Sequence, residues 1–170
     1  MPTRASKIRL LALDVDGVLT DGSIMLDDHG VETKRFNVHD GQGLTTWIAL
    51  GLEVAIITRR SGQALQHRCR ELGIARIVQG CRNKREAIEE LSRQTGIAPE
   101  ETAYVGDDWP DMPAMRAVGY PIAVANASPQ VLELAAFTTT RRGGEGAVRE
   151  VIEHLLAAQG LLTRALELHR

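Results

Sequence analysis

Cysteine is nearly missing from this chain of 170 residues: Cys69 and Cys81, twelve positions apart, are the only two. They fit neither a metal-ligand spacing nor a redox pair. Free thiols that serve packing in a reducing cytoplasm are the reading they support. Long apolar runs are missing too. Leu10–Leu13 and Val54–Ile57 are typical of the runs present, and none approaches the ~20 apolar residues of a membrane span. The amino terminus has no apolar core leading to a small-residue cleavage site, so no signal peptide is expected. Charge of one sign is also lacking. The chain has 20 Lys+Arg against 22 Asp+Glu, a net of −2. That balance excludes the basic face of a general nucleic-acid or membrane-surface binder. Lysine is scarce: of the 20 basic residues only Lys7, Lys34 and Lys84 are lysines.

What is present is an ordinary globular composition, 44% hydrophobic and 25% charged. The length fits one domain over residues 1–170. Short apolar runs alternate with helical patterns. Ile8–Leu13 and Glu53–Ile57 read as buried strands, and Ile77–Val78, Ala103–Val105 and Ile122–Val124 as shorter ones. Ser61–Leu72 has helical spacing with Gly73 as its stop, and Asn83 with Glu86 resembles a capping box for a helix ending at Gly96. Val148, Val151, Ile152, Leu155 and Leu156 make an apolar helical stripe that ends at Gly160. This alternation predicts an α/β fold, a Rossmann-like parallel sheet flanked by helices. Ser23–Leu26 and Glu32–Asn37 flank a polar turn and read as a β-hairpin, a flap after the first strand.

Ligands of open parallel sheets bind beyond the carboxyl ends of the strands. The positions just after each apolar run are Asp14-Val15-Asp16-Gly17, Thr58-Arg59-Arg60-Ser61, Asn83-Lys84 and Gly106-Asp107-Asp108. Asp14 and Asp16, two apart in extended chain, point the same way. They form either a turn or cap pair, or half of a site for a cation such as magnesium. A calcium loop is excluded, because Leu19 and Met25 stand where its Gly and Glu belong. Asp107, Asp108 and Asp111 put three carboxylates in five residues, more than helix capping needs. Thr58 offers a hydroxyl and an N–H; Lys84 offers a point charge. The five histidines have no zinc spacing. Gly143-Gly144-Glu145-Gly146 is either an anion cradle at the start of the last helix or a flexible turn.

The run Asp14-Val15-Asp16-Gly17-Val18-Leu19-Thr20, with Thr58, Lys84 and Gly106-Asp107-Asp108-Trp109-Pro110-Asp111, resembles the haloacid dehalogenase superfamily of phosphotransferases. Further motifs, Asn37 to Gly43, Ile56 to Ser61, Gln79 to Lys84 and Gly143 to Glu150, resemble the 3-deoxy-D-manno-octulosonate (KDO) 8-phosphate phosphatases within it. The likeness spans about residues 8–160 and leaves 161–170 as a tail.

The resemblance implies catalytic roles for Asp14, the nucleophile, and Asp16, the acid and base. It implies a magnesium ion held by Asp14, Asp16 through its backbone carbonyl, and Asp107. Thr58 and Lys84 would bind the phosphoryl group. Asp16, Asn37, Val38, His39, Asp40, Gly41, Arg60 and Arg68 would face the substrate. The implied substrate is a small acidic sugar phosphate, KDO 8-phosphate, on the cytoplasmic route to lipopolysaccharide precursors; another sugar phosphate, or a silent oligomerisation domain, are the alternatives. His39 and Thr45 stand where such proteins can carry arginine, and Arg59 replaces a common glycine. Only 43 residues separate Asp14 from Thr58, and 22 separate Lys84 from Asp107. Neither gap holds a cap domain. The resemblance implies instead a homotetramer in which a neighbour's hairpin and tail close each site.

Overall fold

The computed structural model describes residues 3–170. In chain order its elements are β1 (Leu10–Leu13), β2 (Met25–Leu26), β3 (Glu32–Thr33), α1 (Val38–Ala49), β4 (Glu53–Ile57), α2 (Gln63–Leu72), β5 (Arg76–Val78), α3 (Lys84–Thr95), β6 (Thr102–Gly106), α4 (Met112–Met115), β7 (Tyr120–Ala123), α5 (Pro129–Leu134), β8 (Phe137–Thr138), α6 (Ala147–Ala158) and α7 (Leu162–Glu167). Six strands form one parallel sheet in the order β5-β4-β1-β6-β7-β8. The α/β expectation is met. β1 and β6 are buried at every residue, which is why they read as unbroken apolar runs rather than alternating ones. No cap domain is inserted: β2, β3 and α1 fill the first gap, and α3 and β6 fill most of the second.

Register sets the site. Leu13 lies opposite both Ile56 and Val105. The residues that leave β1, β4 and β6 therefore emerge side by side at one edge, and these are Asp14, Thr58 and Asp107.

Helix ends follow local chemistry. Gly73 and Gly96 adopt left-handed φ values of 73° and 69° at the ends of α2 and α3, a conformation that favours glycine. The Asn83 side chain accepts from Glu86 N–H at 3.3 Å and caps α3.

One segment differs from the sequence expectation, and two others take a form that the sequence left open. The antiparallel pair is only two residues long on each side, Met25–Leu26 with Glu32–Thr33. The chain leaves it before Asn37, because Asn37 caps α1, accepting from His39 and Asp40 N–H. α1 itself lacked a strong helical signal; its Gly41 and Gly43 weaken the propensity. They serve close packing instead: a Cβ on Gly43 would lie 3.0 Å from Ile152 Cδ1 of α6, which packs beside α1. The tail forms α7 and folds onto its own chain, where His169 Nε2 meets Thr46 Oγ1 at 2.9 Å.

Candidate active site

Sequence neighbours hold the turn after β1 in shape. Thr20 Oγ1 accepts from Gly17 and Gly22 N–H, and Gly17 has φ +91°. A Cβ on Gly17 would collide with the Asp107 carboxylate, so the turn must be bare there for β1 and β6 to present their acids together. The Gly143-Gly144 segment braces this turn. Gly144 N–H donates to Val18 O at 3.0 Å, and Gly143 N–H to Asn126 Oδ1 at 2.9 Å. Gly143 and Gly144 thus pack backbone on backbone, while the donors from Gly146 onward face the Asp40 carboxylate of α1.

Asp14, Asp16, Thr58, Arg60, Lys84, Asp107 and Asp108 line one cleft of about 390 Å³. Lys84, almost fully buried, donates to Asp111 Oδ1 at 2.6 Å and lies 2.9 Å from Asp14 Oδ1. Burial alone would pull its ammonium down, but Asp111 and Asp14 outweigh that and raise it. Asp14 moves up to about 6, through burial first and Asp111 second, with Lys84 opposing. Asp107 moves further, to about 8, through burial and then the repulsion of Asp111, Asp14 and Asp108.

Asp14, Asp107 and Asp111 offer oxygens within 4.8 Å of one another. Asp111 is already committed. Its Oδ1 accepts from Lys84 and from Tyr104 Oη at 2.6 Å, and its Oδ2 accepts from the N–H groups of Asp107 and Asp108. Asp107 Oδ1 is buried with no hydrogen-bond partner among the described residues. An orphaned acceptor beside a second crowded carboxylate, with one cation between them, fits a hard divalent ion taking oxygen ligands. The Asp16 carboxylate lies outside this cluster; it pairs with Lys34.

The expected substrate contacts divide. Arg60 reaches the cleft. Asn37, Asp40, Gly41 and Arg68 instead line a separate small crevice with Phe36 and Leu44. Asp40 is buried, and its Oδ1 accepts Arg149 N–H at 2.8 Å, so it caps the first turn of α6 from another helix. Burial raises its carboxyl, against the backbone donors of Arg149, Gly146 and Val148. Gly41 leaves the room that the Arg68 guanidinium fills, and Arg68 pairs with Glu71 at 2.8 Å. Val38 and His39 are exposed on α1. Three residues behind the cleft, which bond to Asp111, Arg60 and Asp16, were missed from the sequence. Tyr104 hides inside an apolar strand; Glu32 and Lys34 sit in what read as a plain hairpin. Lysine scarcity was the available signal for Lys34.

Fold and cleft together define a haloacid dehalogenase-like hydrolase, and the profile of that family matches residues 71–152. The chain is 49% identical to 3-deoxy-D-manno-octulosonate 8-phosphate phosphatase KdsC of Salmonella typhi, over 96% of this chain and 87% of the relative. The crystal structure of the phosphatase of that name from Yersinia pestis is 46% identical, with a TM-score of 0.92 over 94% of this chain and 86% of that one. The one from Moraxella catarrhalis, solved with magnesium ion, phosphate ion and KDO, is 42% identical, with a TM-score of 0.95 over 98% of this chain and 96% of that one. The chain belongs to this family of KDO 8-phosphate phosphatases.

Proposed function

We propose that this protein is a magnesium-dependent phosphomonoesterase that hydrolyses KDO 8-phosphate to KDO and phosphate, in the cytoplasm and as a homotetramer serving lipopolysaccharide precursor synthesis. The observation that carries the chemistry is the Asp14 carboxylate, 2.9 Å from the buried Lys84 ammonium and beside the unpartnered Asp107, in a cleft shared with Thr58. A magnesium ion held by Asp14, Asp107 and the Asp16 backbone carbonyl would offset the charge of the phosphoryl oxygens.

The chain's own residues do the rest. Asp14 attacks phosphorus in line, and the bond to the sugar oxygen breaks as the aspartyl phosphate forms. Asp16 gives that leaving oxygen its proton, then takes one from the water that releases phosphate. Lys84 and Thr58 hold the phosphoryl oxygens, and Asp111 with Tyr104 holds Lys84. Arg60, half-exposed at the mouth, suits the carboxylate of an acidic sugar. Asn37, Val38, His39, Asp40, Gly41 and Arg68 offer further substrate contacts, with Asp40 and Gly41 also serving the packing of α1. The exposed apolar side chains Ile24, Met25, Leu26 and Val31 of the hairpin support its burial against another subunit.

The test is phosphate release from KDO 8-phosphate and a panel of other sugar phosphates, with magnesium and with EDTA. Fast, metal-dependent release that favours KDO 8-phosphate is expected, and Asp14→Asn abolishes it without unfolding the chain. Turnover surviving in Asp14→Asn, or a better substrate elsewhere in the panel, would overturn the mechanism or the substrate respectively.

A further inference from the structure

Glu32 and Lys34 stand two apart in extended chain, so both face one way, and that way is the cleft. Lys34 Nζ donates to Asp16 Oδ1 and, at 3.2 Å, to Glu32 Oε1. The same Glu32 oxygen accepts from Arg60 Nη2 at 2.7 Å and from its Nε at 3.2 Å. Arg60 Nε lies 3.9 Å from Asp16 Oδ2, which closes the ring. Two cations and two anions alternate around it. The Lys34 side chain is 5% exposed and that of Glu32 13%, which separates this ring from surface ion pairs that contribute little. A Cβ on Gly62 would lie 3.2 Å from Glu32 Oε2, so the start of α2 is shaped to admit that carboxylate. Thr33 and Arg35, on the opposite side, are exposed.

Among the described residues, Lys34 gives the Asp16 carboxylate its one hydrogen bond. Oδ1 is thereby occupied by a donor, while Oδ2 has only Arg60 Nε near it, at 3.9 Å. We propose that Lys34, anchored by Glu32, is a positioning residue of the hydrolysis, fixing the Asp16 carboxyl in the orientation from which the leaving oxygen is protonated. The proposal rests on the reading of Asp16 as that proton donor. In the step itself the bond from phosphorus to the leaving oxygen breaks, its electron pair stays on oxygen, and the proton passes from Asp16 Oδ2 to that oxygen. Lys34 touches neither. Placement matters because a shift of about 1 Å in a reacting group can cost on the order of a hundredfold.

The experiment compares kcat/KM for phenyl phosphate and 4-nitrophenyl phosphate on the magnesium-loaded full chain. The two have nearly one shape, but nitrophenolate departs without a proton. This ratio reports only the step that expels the leaving group. Asp16→Asn should lose far more with phenyl phosphate than with the nitro ester. Lys34→Met should copy that pattern, falling roughly ten- to a hundredfold on phenyl phosphate and within about threefold on the nitro ester. It should add nothing in an Asp16→Asn background. An equal loss on both esters, or no loss, would overturn the proposal while leaving the Asp16 reading intact. If Asp16→Asn itself shows no preference between the esters, the reading of Asp16 falls and takes the proposal with it. Melting temperature is followed for each variant. Should Lys34→Met not fold, Glu32→Gln, which loosens the ammonium without removing it, is judged by the same two criteria.

Discussion

Replacing Asp107 by asparagine should stabilise the metal-free protein and deprive it of most of its response to magnesium. Asp14, Asp107 and Asp111 share a space of 4.8 Å with one buried ammonium, Lys84. Burial, followed by Asp111, Asp14 and Asp108, lifts the Asp107 carboxyl from 3.8 to about 8. A folded value above the unfolded one means that the folded state binds the extra proton. Its contribution is therefore complete below 3.8 and is lost as pH rises through about 8. At about 1.4 kcal/mol per pH unit, ionising this group in the folded protein costs a few kcal/mol at pH 8. Asparagine keeps the shape and removes the charge. Taking about 2 kcal/mol, and about 2–4 °C per kcal/mol for a chain this size, the metal-free variant should melt roughly 4–8 °C above wild type at pH 8. Magnesium at about 100 times its Kd adds about 2.7 kcal/mol to wild type, or roughly 5–10 °C. That gain should grow from pH 6 to pH 8 as the competing proton leaves. The assay is thermal melting at both pH values, in EDTA and in magnesium. A variant that melts below wild type in EDTA at pH 8, or one that keeps the wild-type magnesium shift, would refute the reasoning.

Tyr104→Phe removes a fully buried phenol whose value is raised well above the usual range, through burial and then the Asp111 carboxylate. It leaves Asp111 Oδ1 with Lys84 alone, and should cost about 1–3 kcal/mol in chemical denaturation and lower kcat more than it changes KM. Leu26→Glu on the exposed hairpin should shift the assembly toward monomers in light scattering and lower activity at low protein concentration. A wild-type monomer with full activity at nanomolar concentration would remove the need for a neighbour's lid.

The strand ends were legible because the physics there is local. A parallel strand buried on both faces reads as a short apolar run, and the first polar residue after it sits at the sheet's ligand-binding edge. Asp14, Thr58 and Asp107 fall on that rule; Lys84, the first residue of α3, reaches the same edge six positions past β5. Asp40 does not fall on it, because its partner, Arg149, lies 109 positions away, and nothing near Asp40 in sequence announces a helix to cap. Tyr104 was hidden for the opposite reason: inside a strand an aromatic reads as core, and its hydroxyl gains a role only when Asp111 folds back over β6. The glycines of α1 and of Gly143-Gly144 read as flexibility. In the fold they allow close approach between Gly43 and Ile152 and between Gly143 and Gly17.

Lysine usage joins the two halves of the site. Arginine fills 17 of the 20 basic positions, and two of the three lysines are the buried ones, Lys34 and Lys84. An arginine presents a planar fork that wants two acceptors in one plane. Lys84 must instead place one compact charge between Asp14 and Asp111, with Tyr104 Oη on the same Asp111 oxygen. A guanidinium there would displace one of these partners. Lys34 meets the same demand between Asp16 and Glu32. One lysine contacts Asp14, the proposed nucleophile, and the other Asp16, the proposed proton carrier. In a chain that otherwise chooses arginine, that is where a point charge is needed.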